Sequence, residues 1–192
     1  MATVQRRIGA ENSATRLAIL DACEAVMIEE GYANASTRRV AARAGLKPSL
    51  VHYYFPTTDD MHIAVYRRAA DWASEELAKA LADPEPLMAL WRYTLDTTRT
   101  ALTLEFMAMA VHRDALKAAI SEHAGESQRL IIAAIERELG DKARDYSPTV
   151  LATIISALGR SLVMEAGIGA GHGHEETRVW FEGWLRDVSK PV

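Results

Sequence analysis

Apolar residues recur along this chain at intervals of three and four, and almost nowhere do they alternate with polar ones. That spacing lays one apolar stripe along an α-helix, whereas a half-buried strand would show a period of two. The first such run spans about residues 13 to 30, with Ile19, Leu20, Cys23, Val26 and Met27 on one face and Gly31 as its stop. A short helix follows from Ser36, a good N-cap, to Gly45, a good residue just past a helix end, with Val40, Ala41 and Ala44 inward. Pro48 fits the first position of a third helix, which runs to about Tyr54 with Leu50, Val51 and Tyr54 or Phe55 inward. Pro56 stops it. Thr57, with Asp60 three residues on, reads as a capping box that opens a fourth helix reaching Leu81.

Asp83-Pro84-Glu85-Pro86 is the clearest breaker in the chain and predicts a boundary there. Beyond it the periodicity predicts helices near 86–98, 101–112, 114–139, 147–168 and 175–188. Gly125 is a candidate interruption of the third of these, Gly140 ends it, and Ser147-Pro148 supplies a cap and a first-turn proline for the next. Residues 167–174 form a glycine-rich loop. The expected fold is all-α: a three-helix N-terminal domain over 1–56, a connecting helix over 57–81, and a larger helical domain over 82–192.

Composition narrows the classes. With 192 residues, 49% of them hydrophobic, the chain suits one compact domain or two small ones and has ample apolar material for a core. A single cysteine excludes an intrachain disulfide and any multi-cysteine metal site, and its place on the apolar stripe of the first helix reads as core rather than nucleophile. The apolar runs read as shorter than the roughly 20 residues of a membrane span. Arg6 and Arg7 are followed by no apolar segment of the secretory kind. A soluble cytoplasmic protein without a membrane partner is expected.

Net charge is -4, which taken alone argues against a nucleic-acid partner. Its distribution argues otherwise: residues 1–70 carry +2 and the remainder -6. The 28 residues from Gly31 to Thr58 contain four bases, Arg38, Arg39, Arg43 and Lys47, and no acid, together with Tyr32, Tyr53, Tyr54 and Phe55. Such a window suits a surface that meets phosphate. Chance gives short acid-free windows as well, and a solvated helix face explains basic side chains equally, so spacing has to decide. Residues 36–55 read as helix, tight glycine turn, helix, with Ala41, Ala42 and Ala44 small enough for close packing. In a helix-turn-helix the second helix enters the major groove by its leading residues, here Lys47, Pro48 and Ser49, with His52 and Tyr53 one turn on. Its first N–H groups can also meet a phosphate.

Residues 16–66 resemble the DNA-binding domain of the tetracycline-repressor (TetR) family of bacterial transcription regulators. The resemblance rests on Ile19-Leu20-Asp21-Ala22, Glu30-Gly31-Tyr32, Ser36-Thr37, Val40-Ala41, Ala44-Gly45-Leu46, and Tyr54-Phe55 followed by Asp60-Met61. It implies a DNA-binding head and a larger ligand-binding and dimerisation domain. It further implies a homodimer on a palindromic double-stranded operator, released when a small molecule fills a pocket in the C-terminal domain. Carried over by position, it puts Thr37, Arg38 and Arg39 of the second helix against backbone and bases, with Lys47, Pro48, Ser49, His52 and Tyr53 on the recognition helix. Three positions depart from the family. Lys47 stands where Ser or Thr is frequent; it cannot cap the helix but adds a cation. His52 replaces a frequent tyrosine, which alters that contact. Thr58 replaces a frequent lysine at the start of the fourth helix, where its hydroxyl can still touch phosphate. Dimerisation is expected through the last two long helices, with Val150, Ile154, Leu158, Trp180 and Trp184 in a four-helix bundle. Two recognition helices then stand about 34–36 Å apart.

In the C-terminal part Leu87, Trp91 and Leu95 share a stripe, as do Leu102, Phe106 and Met109, and Ile154, Leu158 and Met164. Such stripes are core by default; as an effector pocket the candidates are Trp91, Leu95, Phe106, Met109, His112 and Met164. His112, with Glu105 two turns before it, reads either as a polar group inside that pocket or as a surface histidine. His172 and His174 beside Glu175 and Glu176 have only a loose metal-ligand pattern, so no metal and no cofactor are expected. Catalytic motifs are missing: no G-x-S-x-G, no phosphate loop, no H-E-x-x-H, and only a lone Asp59-x-x-His62 where a di-iron bundle wants paired Glu-x-x-His. A DNA-binding regulator, a repressor and not an enzyme, is the leading expectation. Two rivals stay open: a helical small-molecule-binding protein or enzyme with a vestigial DNA-binding head, and a DNA-binding module without a ligand.

Overall fold

A computed structural model describes residues 13–97, 99–141 and 146–190, so Arg6 and Arg7 lie outside the described residues. Among these, all regular structure is helical: α1 Ala14–Glu30, a 3-10 turn Tyr32–Asn34, α2 Thr37–Ala44, α3 Pro48–Tyr54, α4 Thr58–Leu81, α5 Pro86–Thr94, α6 Thr100–Ala110, α7 Asp114–Leu139, α8 Pro148–Gly167 and α9 His174–Ser189. The expected all-α class is what the chain adopts. Local chemistry explains the ends. Ser13 and Ser36 accept the N–H of Arg16 and Arg39 at 3.2 and 3.3 Å, as N-caps do. At Thr57 and Asp60 the capping box is reciprocal: Thr57 N–H donates to Asp60 Oδ2 at 3.0 Å, and Asp60 N–H donates to Thr57 Oγ1 at 3.0 Å.

Two expectations about elements needed revision. α5 ends at Thr94 rather than near 98. Thr94 Oγ1 turns back onto the Trp91 carbonyl at 2.7 Å, and Asp and Thr after it compete with helical hydrogen bonds in the same way. α7 runs unbroken through Gly125; a mid-helix glycine costs only about 1 kcal/mol relative to alanine, which a 26-residue helix absorbs.

The chain divides into two compact units. One comprises residues 1–70 with 101–120, the other 71–100 with 121–192. The breaker at 83–86 suggested a cut at 82; instead α6 and the start of α7 pack with the N-terminal helices. The first core gathers Ile19, Leu20, Cys23, Val26 and Met27 of α1 with Val40, Val51, Phe55, Met61 and Val65, and with Leu102, Phe106, Met109 and Leu116. Each large apolar side chain buried there contributes roughly 1.5–3 kcal/mol. Burial also pushes the Cys23 thiol up to about 12, which makes it an inert core residue, as its stripe position suggested. The second core joins Leu77, Leu87, Leu90, Trp91, Ile135, Leu151, Ile155, Phe181 and Leu185. Within it α5 packs on α8 and α9. Gly159 of α8 meets Thr94 of α5 so closely that a Cβ there would lie 2.2 Å from Thr94 Oγ1.

α8 qualifies the reading of the apolar runs. At 20 residues and mean hydropathy 1.4 it is long and apolar enough, by length and composition, to cross a membrane. Leu151, Ala152, Ile155, Gly159 and Leu162 of this helix are buried in the second core, a burial that also selects for an apolar helix.

Candidate nucleic-acid interface

α2 and α3 form a helix-turn-helix whose geometry follows from one residue. Gly45 has φ 68° and ψ 27°, the left-handed region that a side chain disfavours. Its N–H bonds to the Ala42 carbonyl at 3.3 Å and the Leu46 N–H to the Ala41 carbonyl at 2.9 Å. This double closure is the Schellman motif. The chain then turns through Lys47, which serves as N-cap without a side-chain cap bond, into Pro48 at the head of α3. Val51 and Phe55 anchor α3 in the first core and Tyr54 is half-buried, so these aromatics pack inward as expected. Lys47, Pro48, Ser49, His52 and Tyr53 all lie on the solvent side. With Gly45, Leu46 and Leu50, the residues Lys47, Ser49 and Tyr53 line one open surface depression.

The four bases of the acid-free window do not share one environment. Arg39 is held by Glu30 in a fork: Nη2 donates to Oε1 at 2.6 Å and Nε to Oε2 at 2.9 Å. Arg43 is held by Glu29, with Nη1 to Oε2 and Nη2 to Oε1 both at 2.6 Å. The hydrogen bonds from Arg43 and Arg39 hold the Glu29 and Glu30 carboxyls below their ordinary range. Arg38 and Lys47 are exposed and make no ion pair with any described residue. Thr37 is buried, its Oγ1 lying 3.4 Å from Thr58 Oγ1, so these two hydroxyls face each other across α2 and α4. Of the nine candidate DNA-contacting residues, the geometry leaves Arg38, Lys47, Pro48, Ser49, His52 and Tyr53 outward, Thr58 half-buried, Arg39 paired and Thr37 buried.

Comparison with known proteins matches residues 19–65 to the profile described as bacterial regulatory proteins, tetR family. The match runs from Ile19 within α1 through the first turns of α4 and includes the whole helix-turn-helix, about a quarter of the chain. These residues are similar to the N-terminal domain of the tetR family of bacterial regulatory proteins.

Solved structures extend the likeness of fold to most of the chain. A Rhodococcus sp. protein described as a TetR-family transcriptional regulator superposes with TM-score 0.76 at 21% identity, over 93% of this chain and 100% of that one. A TetR transcription regulator from Haloarcula marismortui gives TM-score 0.76 at 17% identity, over 91% and 97%. A Saccharomonospora viridis protein described as a transcriptional regulator, solved in complex with choline, gives 0.74 at 21%, over 87% and 95%. No curated protein matches by sequence.

The effector candidates do not share one environment. Trp91 is fully buried in the second core, its Nε1 donating to Glu182 at 3.4 Å and its ring 4.8 Å from Phe181. Phe106 and Met109 belong to the first core, where Phe106 meets the Tyr66 ring edge-on at 5.2 Å. Leu95 and Met164 are half-buried, and His112 is exposed. Its suggested companion Glu105 does something else: it accepts a backbone N–H at Tyr32. In the glycine-rich loop His174 pairs with Glu165 at 3.0 Å, and no described group of His, Cys, Asp or Glu could hold a metal. Glu29, Glu30, His62 and Glu105 were missed as partners of the head. Glu29 and Glu30 had a readable signal, two acids closing α1 beside a basic helix; the other two contacts join positions 27 and 73 residues apart.

Proposed function

We propose that this protein is a TetR-family transcription regulator, a dimeric, ligand-responsive repressor that binds a palindromic operator and leaves it when a small apolar or amphipathic effector binds. The observation that carries the DNA half is the α2–Gly45–α3 unit. It is anchored from behind by Val51 and Phe55, with Lys47, Ser49, His52 and Tyr53 turned outward on one helix. A cation and polar groups on the exposed face of a helix of that size suit the major groove, and Arg38 adds a second cation for the flanking phosphate. The dimer half is supported by apolar side chains on α8 and α9 exposed to solvent: Val150, Ile154, Val179 and Trp180. Apolar patches of this kind mark association surfaces. Ligand response is supported by a neighbour of the same fold solved with choline, and Leu95, His112 and Met164 are the candidates with surface to offer an effector. Trp91, Phe106 and Met109 serve as core.

A duplex carrying the DNA that flanks the protein's own gene tests the proposal in a gel-shift titration. Binding should weaken steeply with salt, because phosphate contacts release counterions. Lys47→Glu should abolish binding while the dimer persists by size-exclusion chromatography; unaltered affinity would remove Lys47 from the interface. Turnover of a small molecule, or ligand binding without any effect on DNA affinity, would favour an enzyme or binding protein instead.

A further inference from the structure

The connector between α1 and α2 carries two backbone groups that its flanking helices do not serve. α1 closes at Gly31, whose N–H returns to the Met27 carbonyl at 3.0 Å. The next N–H, that of Tyr32, opens the 3-10 turn and so has no helical carbonyl behind it. At the far end Ala35 is buried at 1% exposure, immediately before Ser36, the N-cap of α2. A buried carbonyl there needs a donor.

Two helices from elsewhere in the first unit supply the partners. Glu105 of α6 accepts the Tyr32 N–H at 2.6 Å through Oε2. His62 of α4 donates from Nε2 to the Ala35 carbonyl at 3.0 Å. A carbonyl can only accept, so the hydrogen of His62 sits on Nε2. His62 is 2% exposed, and burial lowers its pKa, which keeps the ring neutral. The connector is therefore gripped at both ends by side chains far away in sequence.

The grip bears on DNA recognition because the connector leads straight into the recognition unit. Ser36 is the next residue, α2 starts at Thr37, and the Schellman closure at Gly45 fixes the turn that leads from α2 into α3. A shift of the connector thus moves α2 and α3 together, with Arg38, Lys47 and Tyr53 on them. A carboxylate on a backbone N–H is the stronger kind of hydrogen bond, so Glu105 is the firmer of the two holds. We infer that Glu105 is a positioning residue for DNA recognition, which, with His62, fixes the Tyr32–Ala35 connector and so aims the helix-turn-helix. The inference rests on the DNA-binding reading above and assigns Glu105 no contact with DNA.

The test uses the full chain, as wild type, Glu105→Ala and Glu105→Gln, with two duplexes of equal length. One is selected by the wild-type protein from a random pool and the other is unselected. Glu105→Ala should speed hydrogen exchange at the Tyr32 amide and weaken binding of the selected duplex about tenfold, the usual scale for losing a charge-assisted bond. Binding of the unselected duplex, which reads phosphate attraction, should hold, and the thermal midpoint should fall by no more than a few degrees, since the chain still folds. Glu105→Gln keeps an acceptor oxygen and should restore most of both losses. Unchanged affinity of Glu105→Ala for the selected duplex would overturn the inference. Equal weakening on both duplexes with a much lower thermal midpoint would overturn it too, as plain loss of fold. A wild-type protein that selects no duplex defeats the DNA-binding reading itself, and this inference with it, whatever the Tyr32 exchange rate.

Discussion

Arg38 and Arg39 are neighbours on one helix, yet only Arg39 has a carboxylate in its fork. An exposed pair of this kind adds little to stability, so its importance is geometric and electrical rather than energetic. While Glu30 holds it, Arg39 adds nothing to the positive field offered to phosphate, and Arg43 is cancelled by Glu29 in the same way. The charge-neutral double variant Arg39→Gln with Glu30→Gln should therefore bind duplex DNA with the wild-type salt dependence. Arg38→Gln should lower the slope of log affinity against log salt by about 1. A drop of that size in the double variant would return Arg39 to the DNA contacts. The sequence exposes Arg39 as a cation on a helix face. It shows Glu29 and Glu30 only as acids closing α1; which of them meets which arginine depends on how α1 and α2 cross.

Elements are where local rules reached furthest. Caps at Ser13, Ser36 and Thr57 and the glycine stop at Gly45 act within four residues, so reading them needs no knowledge of the fold. α5 failed at its end for a related reason: Thr94, a weak helix former, found a bond to its own helix instead. Two glycines inside helices separate propensity from packing. At Gly125 a Cβ would meet nothing within 4 Å, so Gly125→Ala should raise stability by up to about 1 kcal/mol. At Gly159 the same change drives a methyl into Thr94, with the Thr94 carbonyl oxygen 3.2 Å away behind it. Overpacking typically costs about 1–3 kcal/mol, which exceeds the gain in propensity, so Gly159→Ala should lower stability. Paired thermal melts check both signs, and two stabilised variants would refute the close α5–α8 approach.

For the whole molecule, the two units carry different surfaces. The first presents the head, with its uncancelled cations at Arg38 and Lys47; the second exposes an apolar face on α8 and α9, with Trp180 at 67% exposure. An indole left that open favours a partner, and the dimer proposed above supplies one from a second copy. Trp180→Asp together with Ile154→Asp should convert the protein to monomer in sedimentation at micromolar concentration, with helical content retained. Operator affinity should fall with it, since one head then binds without the other. A double variant that sediments as the wild type would place the dimer interface elsewhere.

The sequence by itself determined nearly every helix, the glycine turn, the inward face of α1 to α3 and the TetR likeness. Each of these depends on periodicity or on bonds that close within one turn. Only the tertiary structure decided that α6 joins the N-terminal unit, that Trp91 and Phe106 lie in separate cores, and that Glu105 reaches Tyr32. Those outcomes turn on which helix faces meet and at what crossing. An apolar stripe says that a face is buried, but the same stripe fits against many partners. Polar contacts of 2.6 Å between residues 73 apart follow only once the packing has chosen among them.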